Sequence, residues 1–393
     1  MSEPRADRMT RVVEMMDRLI GYDTTSRNSN LALIEDVQSY LSDLGVVSRI
    51  VHDETGTKAN LWATIGPIDK GGVVLSGHTD VVPIDGQDWT KTPFELSEAD
   101  GKLYGRGTCD MKGFVAIALA LAPEMVAANL SVPIHFAFTY DEEIGCVGVH
   151  GLIDEIVANF PKPRAVIVGE PTMMRLVGGH KGTRVYRTRI TGVPGHSSDP
   201  SQGANAIFAA SRMIGYMEQV NRELEAAADS DCPFVPPHSI VSCGVIQGGT
   251  AHNIIPEICD ITWGMRLLPG EDGDAIQARI QDFIDREVEP MLKAAAPHAG
   301  VVTTLEVDSI PLAVDTDSPA EHLVKYLTGL NDSQVVSFGT EAGAFQKSGM
   351  PAVVFGPGSI DQAHKADEFI EISQVEQCVD FVGKLIDWAK TAA

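Results

Sequence analysis

Residues 73–83, Val-Val-Leu-Ser-Gly-His-Thr-Asp-Val-Val-Pro, constrain this chain more than any other segment. Val73 to Leu75 read as a buried strand: β-branched and apolar, entered from Gly71-Gly72 and closed off before Pro83. The strand runs into Gly77-His78-Thr79-Asp80. In an open α/β sheet, ligands collect beyond the carboxyl ends of the strands. His78 therefore stands where a metal ligand or a catalytic base would. Asp80 can accept the free ring N–H of His78 and so fix the tautomer that offers the other nitrogen to a metal. Taken alone, the same letters also describe a strand-end histidine beside a turn aspartate.

The chain around this stretch alternates strand and helix. Helical periodicity marks Arg11 to Ile20 and Leu31 to Leu44; strands are expected at Val46–Val51, Asn60–Ile65, Pro133–Tyr140 and Ala165–Val168. A Gly-punctuated loop, Leu103 to Gly113, opens into one small-residue helix, Phe114 to Ala128. This is the βαβ pattern of a mostly parallel sheet with helices on both faces. The style changes near Gly182. Thr183 to Thr191 alternates as a half-exposed antiparallel strand would, then come a helix at 203–228, strands at 239–247 and 258–268, a helix at 272–296 and a strand at 301–314. The α/β style returns with helix 319–327, strands 334–336 and 352–355, and helix 373–389. The expected architecture is α/β: a discontinuous catalytic domain, 1–181 with 314–393, interrupted by an α+β domain at 182–313. A length of 393 residues fits two domains.

Charge and cysteine usage exclude several classes. Lys+Arg 30 against Asp+Glu 54 gives −24, which disfavours nucleic acid and anionic membranes as partners and mildly favours cationic small molecules. The six cysteines include no C-x-x-C pair and read as reduced thiols. The opening residues are polar, unlike a signal peptide, and no apolar run reaches membrane-spanning length. The expected location is the cytoplasm.

Five positions offer imidazole or carboxylate donors in Gly-rich or strand-end settings: His78, Asp110, Glu143, Glu170 and His364. Two histidines and three carboxylates suit a pair of zinc-like ions, with one carboxylate, Asp110, able to bridge them. Glu142 sits beside Glu143, so one can ligate while the other stays free as a general base. Each residue has an ordinary alternative. Asp110 could cap a helix, Glu142 and Glu143 could complement a helix N-terminus, Glu170 could be a turn residue, and His364 could lie in a solvated loop.

The flanking words are more specific than the donors. Ser76-Gly-His-Thr-Asp80, Gly105-Arg-Gly-Thr-Cys-Asp-Met-Lys-Gly113, Asp141-Glu-Glu-Ile-Gly145, Gly169-Glu-Pro-Thr172 and Ala363-His364 resemble, in order and across nearly the whole chain, the dinuclear zinc aminoacylase/carboxypeptidase family. The resemblance implies a zinc-peptidase-like catalytic domain with an inserted lid and dimerisation domain. It implies two divalent ions, Zn2+ or Co2+, on His78, Asp110, Glu143, Glu170 and His364, with Asp110 bridging. Glu142 would be the base, Asp80 the partner of His78, and the Asp110-Met111 peptide cis. Gly195-His196-Ser197-Ser198 resembles the family segment whose histidine, delivered by the partner subunit of a homodimer, stabilises the oxyanion. Asn253 and Arg266 would contact substrate, the Arg266 fork gripping an α-carboxylate.

Within the family the wording is most similar to the acetylornithine deacetylases, notably in Phe338-Gly-Thr-Glu-Ala-Gly343. That implies removal of acetate from N2-acetyl-L-ornithine, a step of arginine biosynthesis, with Thr340 and Glu341 near the substrate and Glu341 facing its side-chain ammonium. Desuccinylation of diaminopimelate derivatives, general aminoacylase or dipeptidase activity, and a non-catalytic metal-bound homologue are the competing expectations.

Overall fold

A computed structural model describes residues 5–392; the first four residues of the polar opening lie outside the described residues. It resolves into two compact units. One comprises residues up to Gly179, Leu312–Val335 and the chain from Thr340 onward; the other comprises His180–Pro311 and Val336–Gly339.

The first unit is built on an eight-stranded sheet. Its four central strands are Ile134–Thr139, Val73–His78, Ala165–Pro171 and Ala352–Gly356, mutually parallel and wholly buried. On one flank Ala59–Ile65 and Ser48–His52 add antiparallel strands; on the other stand Val177–His180 and Gln334–Val336. Burial from both sides explains the near-continuous Val, Ile and Phe content of the central strands.

Side-chain alternation sorts the two faces. Val73, Leu75, Phe136, Phe138, Ala165 and Ile167 join one large core with the helices Arg5–Ile20, Leu31–Asp43, Lys112–Ala120, Pro319–Thr328 and Ile372–Thr391. Helix Lys112–Ala120 is buried at every position, which its small-residue sequence KGFVAIALA permits. The helices Val149–Asn159 and Ala342–Lys347 pack on the sheet unit outside that core.

Several boundaries differ from the sequence expectation. The Val73 strand does not stop at Leu75 but carries Ser76, Gly77 and His78, and the Ala165 strand carries Gly169 and Glu170. These two ligand candidates are in strands, not in the loops after them. The 114–128 helix is two helices, Lys112–Ala120 and Ala122–Ala127, with Pro123 at the start of the second. The loop 103–113 begins in a strand, Lys102–Tyr104, which lies between Ser97–Ala99 and Phe369–Glu371 in a small antiparallel sheet. Strand Val177–His180 had no sequence expectation, because Gly178-Gly179 reads as a turn.

The second unit is a four-stranded antiparallel sheet in the order Ile240–Gly248, Ile258–Leu267, Gly182–Thr191, Gly300–Ser309. Tyr186, Ile190, Cys259, Ile261 and Trp263 face its core with Ala209 and Met213 of helix Ala206–Ala226 and Ile276 and Ile280 of helix Gly273–Phe283. Arg187 and Arg189 alternate outward and pair with Glu306 and Asp260. The expected single helix 272–296 is interrupted by a π-helical turn, Ile284–Val288, ahead of Pro290. The strand expected to reach 314 ends at Ser309.

Candidate metal centre

Two parallel strands place the first donors. Ser76 pairs with Val168, so two residues further on His78 and Glu170 lie side by side at the same sheet edge. Each follows a glycine that faces the other way. A Cβ on Gly77 would meet Met111 and Val115, and a Cβ on Gly169 would lie 2.1 Å from the Phe114 ring. Glycine lets the helix approach the sheet, and alternation then turns the next residue to the opposite face. The pair Gly-His and Gly-Glu at two strand ends is a sequence signal in its own right.

His78 Nε2 lies 3.0 Å from Asp110 Oδ1 and 3.6 Å from Glu170 Oε1. His364 Nε2 lies 3.2 Å from Asp110 Oδ2 and 3.0 Å from Glu143 Oε2. The donors thus form two clusters, His78–Asp110–Glu170 and Asp110–Glu143–His364, each with its ligand atoms within 4.8 Å of one another. Asp110 belongs to both and turns one oxygen to each. It does not cap the following helix, whose N-cap is Met111 without a side-chain bond. The Asp110-Met111 peptide is cis.

His78 Nδ1 donates to the Asp80 carbonyl at 3.0 Å, whereas the Asp80 carboxylate is 3.6 Å away. With Nδ1 so engaged, Nε2 is the nitrogen turned toward the carboxylates. The partner is therefore Asp80's backbone, and its side chain has another task. The Asp80 carboxylate accepts the backbone N–H of Glu142 at 3.1 Å, that of Glu143 at 3.3 Å and the Ser26 hydroxyl at 2.7 Å. It fastens the Glu142-Glu143 turn beside the His78 strand. Lys58 braces the same turn: its Nζ holds both oxygens of Asp141, at 2.5 and 2.7 Å, where Asp141 adopts φ 55°. Ser26 and Lys58 carry no motif and were invisible in the sequence.

The electrostatics favour cations. Among the described residues, the ion pairs of Asp110, Glu143 and Glu170 are with His78 and His364 alone. Burial and then the Asp110 charge raise the Glu143 carboxyl to about 7 and push Glu170 well up. Burial and the Glu143 charge, against the opposing pull of His78, also raise Glu142 well above the usual carboxylate range. Burial disfavours a charged His78, but the Asp110 hydrogen bond and neighbouring carboxylates outweigh it and its pKa rises. Hydrogen bonds to Asp110 and Glu143 raise His364 to about 10. Closely spaced buried carboxylates repel unless a positive charge lies among them. The imidazole and carboxylate set suits zinc-like divalent ions.

Glu142 belongs to neither cluster, and its Oε1 accepts a contact from the Cys146 thiol at 3.4 Å. Glu341 is buried to 1% exposure at the N-cap of helix Ala342–Lys347, with the Thr139 side chain beside its carboxylate. Burial raises it to about 7. Thr340 Oγ1 accepts the Ala342 N–H at 3.1 Å.

The remaining candidates lie in the second unit. His196 and Asn253 are neighbours there: Gly195–His196 pairs with Ile254–Ile255, and the Ser197 N–H donates to the Asn253 carbonyl at 3.1 Å. His196 is exposed, and its Nδ1 lies 2.7 Å from Ser198 Oγ and 3.2 Å from the Ser198 backbone nitrogen. Arg266 is exposed on strand Ile258–Leu267 and donates to Thr183.

Residues 74–388 match the model of peptidase family M20/M25/M40. The chain belongs to this family. Over 368 residues it is 36% identical to an acetylornithine deacetylase of Proteus mirabilis, covering 93% of this chain and 92% of the relative. It is 34% identical over 370 residues to an acetylornithine deacetylase of Myxococcus xanthus, covering 92% and 93%. Two solved family structures share the fold: an M20 metallo-carboxypeptidase from Sulfolobus solfataricus (18% identity, TM-score 0.74, 99% and 100% of the chains) and a dinuclear metal-binding M20 peptidase from Bacillus subtilis (18%, 0.63, 98% and 99%). The family is one of dinuclear metallo-hydrolases, and this chain carries candidate ligands for two ions. No helix among the described residues is long and apolar enough to cross a membrane.

Proposed function

We propose that this chain hydrolyses the amide of N2-acetyl-L-ornithine to L-ornithine and acetate. The observation that carries the reaction class is Glu142, a carboxyl beside two donor clusters and a member of neither. The substrate rests on the deacetylase relatives, each alike over more than nine-tenths of this chain.

Two divalent ions, Zn2+ or Co2+, on His78, Asp110, Glu143, Glu170 and His364 would polarise the scissile carbonyl and acidify a water. Glu142, held by the Asp80–backbone bonds, takes a proton from the attacking water and returns it to the leaving α-amine. Its raised pKa suits both halves of that task. His196 donates to the developing oxyanion across a homodimer formed through the second unit. Asn253 and Thr340 help orient the acyl amino acid, and Arg266 grips its α-carboxylate. Glu341, a buried carboxylate outside both donor clusters, pairs with the δ-ammonium of ornithine. The proposed location is the cytoplasm.

A panel of acetylornithine, succinyl-diaminopimelate, acetylmethionine and simple dipeptides tests the assignment. The highest kcat/KM is expected on acetylornithine; a higher value on any of the others overturns the substrate. Hydrolysis of none, by metal-loaded protein, overturns the reaction.

A further inference from the structure

We infer that Glu368 is a positioning residue for the second ion site, holding Asp110 and His364 in one frame through a buried carboxylate. Tyr104 pairs with Phe369 in the small antiparallel sheet, which brings segments 105–110 and 364–368 together. The Glu368 side chain is 0% exposed. Its Oε1 accepts the backbone N–H groups of Cys109 at 2.9 Å and Asp110 at 3.0 Å. Its Oε2 accepts the Gly107 N–H at 3.0 Å and Arg106 Nη1 at 2.7 Å. Its carbonyl accepts the Gly105 N–H at 3.0 Å. One residue thus accepts four backbone N–H groups, of Gly105, Gly107, Cys109 and Asp110, in the segment that presents Asp110.

The same residue lies four positions after His364, whose own backbone, at φ 62°, has no regular structure to hold it. A third segment closes the frame. Gln87 Nε2 donates to the His364 carbonyl at 3.0 Å, while Gln87 Oε1 accepts from Arg106 Nη2 at 2.6 Å and Trp89 Nε1 at 2.9 Å. Asp367 accepts the N–H groups of Thr90 and Lys91 at 2.8 and 3.0 Å. Two of the three donors of the Asp110–Glu143–His364 cluster therefore stand on loops joined through Glu368, Arg106 and Gln87. In the other cluster only Asp110 does; His78 and Glu170 stand on strands.

The substitution Glu368→Gln keeps the shape but turns one acceptor into a donor. An NH2 group would then face either two backbone N–H groups or Gly107 N–H and Arg106. The buried donors lose their charge-assisted bonds and the Asp110 loop loses its anchor. Groups that orient ligands in this way typically change metal affinity by about 10–100-fold.

The inference rests on the reading of Asp110 and His364 as ligands. The test is calorimetric titration of metal-free full-length protein with Zn2+, with the Co2+ absorption spectrum as a second readout. The unaltered chain is expected to bind two ions. Glu368→Gln is expected to weaken the second event about 10–100-fold and to leave the first within a few-fold. Unchanged binding of both ions, or equal weakening of both, overturns the inference. If that variant does not fold, Gln87→Ala, on a surface loop, is expected to weaken the second event by a smaller factor; unchanged binding overturns the inference. His364→Ala separates the two readings: retention of two ions by that variant refutes the ligand assignment itself, whereas loss of one ion there with no effect of Glu368→Gln refutes the inference alone.

Discussion

The two donor clusters of the sheet unit are made differently. In the first, His78 and Glu170 end adjacent parallel strands, are almost fully buried and owe their orientation to side-chain alternation after Gly77 and Gly169. In the second, Glu143 lies in a turn and His364 in a loop, with the His364 side chain 55% exposed. One cluster is carried by the rigid sheet, the other by hydrogen-bonded loops. The comparison teaches that a site can combine a preformed half with a half whose geometry depends on polar partners that touch no ligand directly.

The largest expected effect bears on the carboxylate that stands beside both clusters and belongs to neither. Glu142→Ala should leave both clusters intact and lower kcat by about 10³-fold, within the range for loss of a general base; metal content and steady-state kinetics check this together. Retained turnover would remove Glu142 as base. Next, His78→Ala and His364→Ala should each cost one bound ion, measured by elemental analysis after dialysis, and if the strand cluster is the preformed half the loss from His78→Ala should lower thermal stability more. Asp80→Ala frees the N–H groups of Glu142 and Glu143 and should reduce kcat by about 10–100-fold while both ions still bind, since His78 Nδ1 is held by a backbone carbonyl. Gly169→Ala sharpens the contrast from the strand side: its Cβ would collide with Phe114 and should lower unfolding free energy by about 1–3 kcal/mol, read by denaturant titration. The smallest effect is on selectivity. Glu341→Gln should raise KM for acetylornithine about tenfold, by loss of one charged contact, and leave acetylmethionine unchanged; equal effects on both would break the ammonium-pairing role.

The sequence was most legible where local pattern and burial agree. The run Val73-Val74-Leu75 and its counterparts at Ala165 and Ala352 are apolar because both sheet faces are covered, and their alternation with helices marks the parallel core. The alternating strand Thr183 to Thr191 similarly marked the change to an antiparallel sheet. The sequence pattern ends these strands short, at Leu75 and Val168, because Ser, Gly and charged residues look like turns until the sheet buries them. The five donors are legible as imidazole and carboxylate types in Gly-rich or strand-end settings, and the flanking words, not geometry, single them out as a set. Asp80 illustrates the limit: its position was legible, but the choice between its carbonyl and its carboxylate is made by the backbone path. Lys58, Gln87 and Glu368 were illegible for a further reason. The partners that join them to the site, Asp141, the His364 carbonyl and Arg106, lie 83, 277 and 262 residues away in sequence.

The strand Ala352–Gly356 pairs with Ala165–Pro171, yet nearly two hundred residues separate them in the chain. During synthesis the Glu170 strand is made long before its neighbour. At cellular translation rates the interval is on the order of ten seconds or more. Until then a buried-type strand keeps one open edge, and His364 does not yet exist to complete the second cluster. A nascent chain stalled within residues 180–350 would thus display an apolar, unpaired parallel edge, the form of exposure that chaperones are selected to recognise and that promotes aggregation.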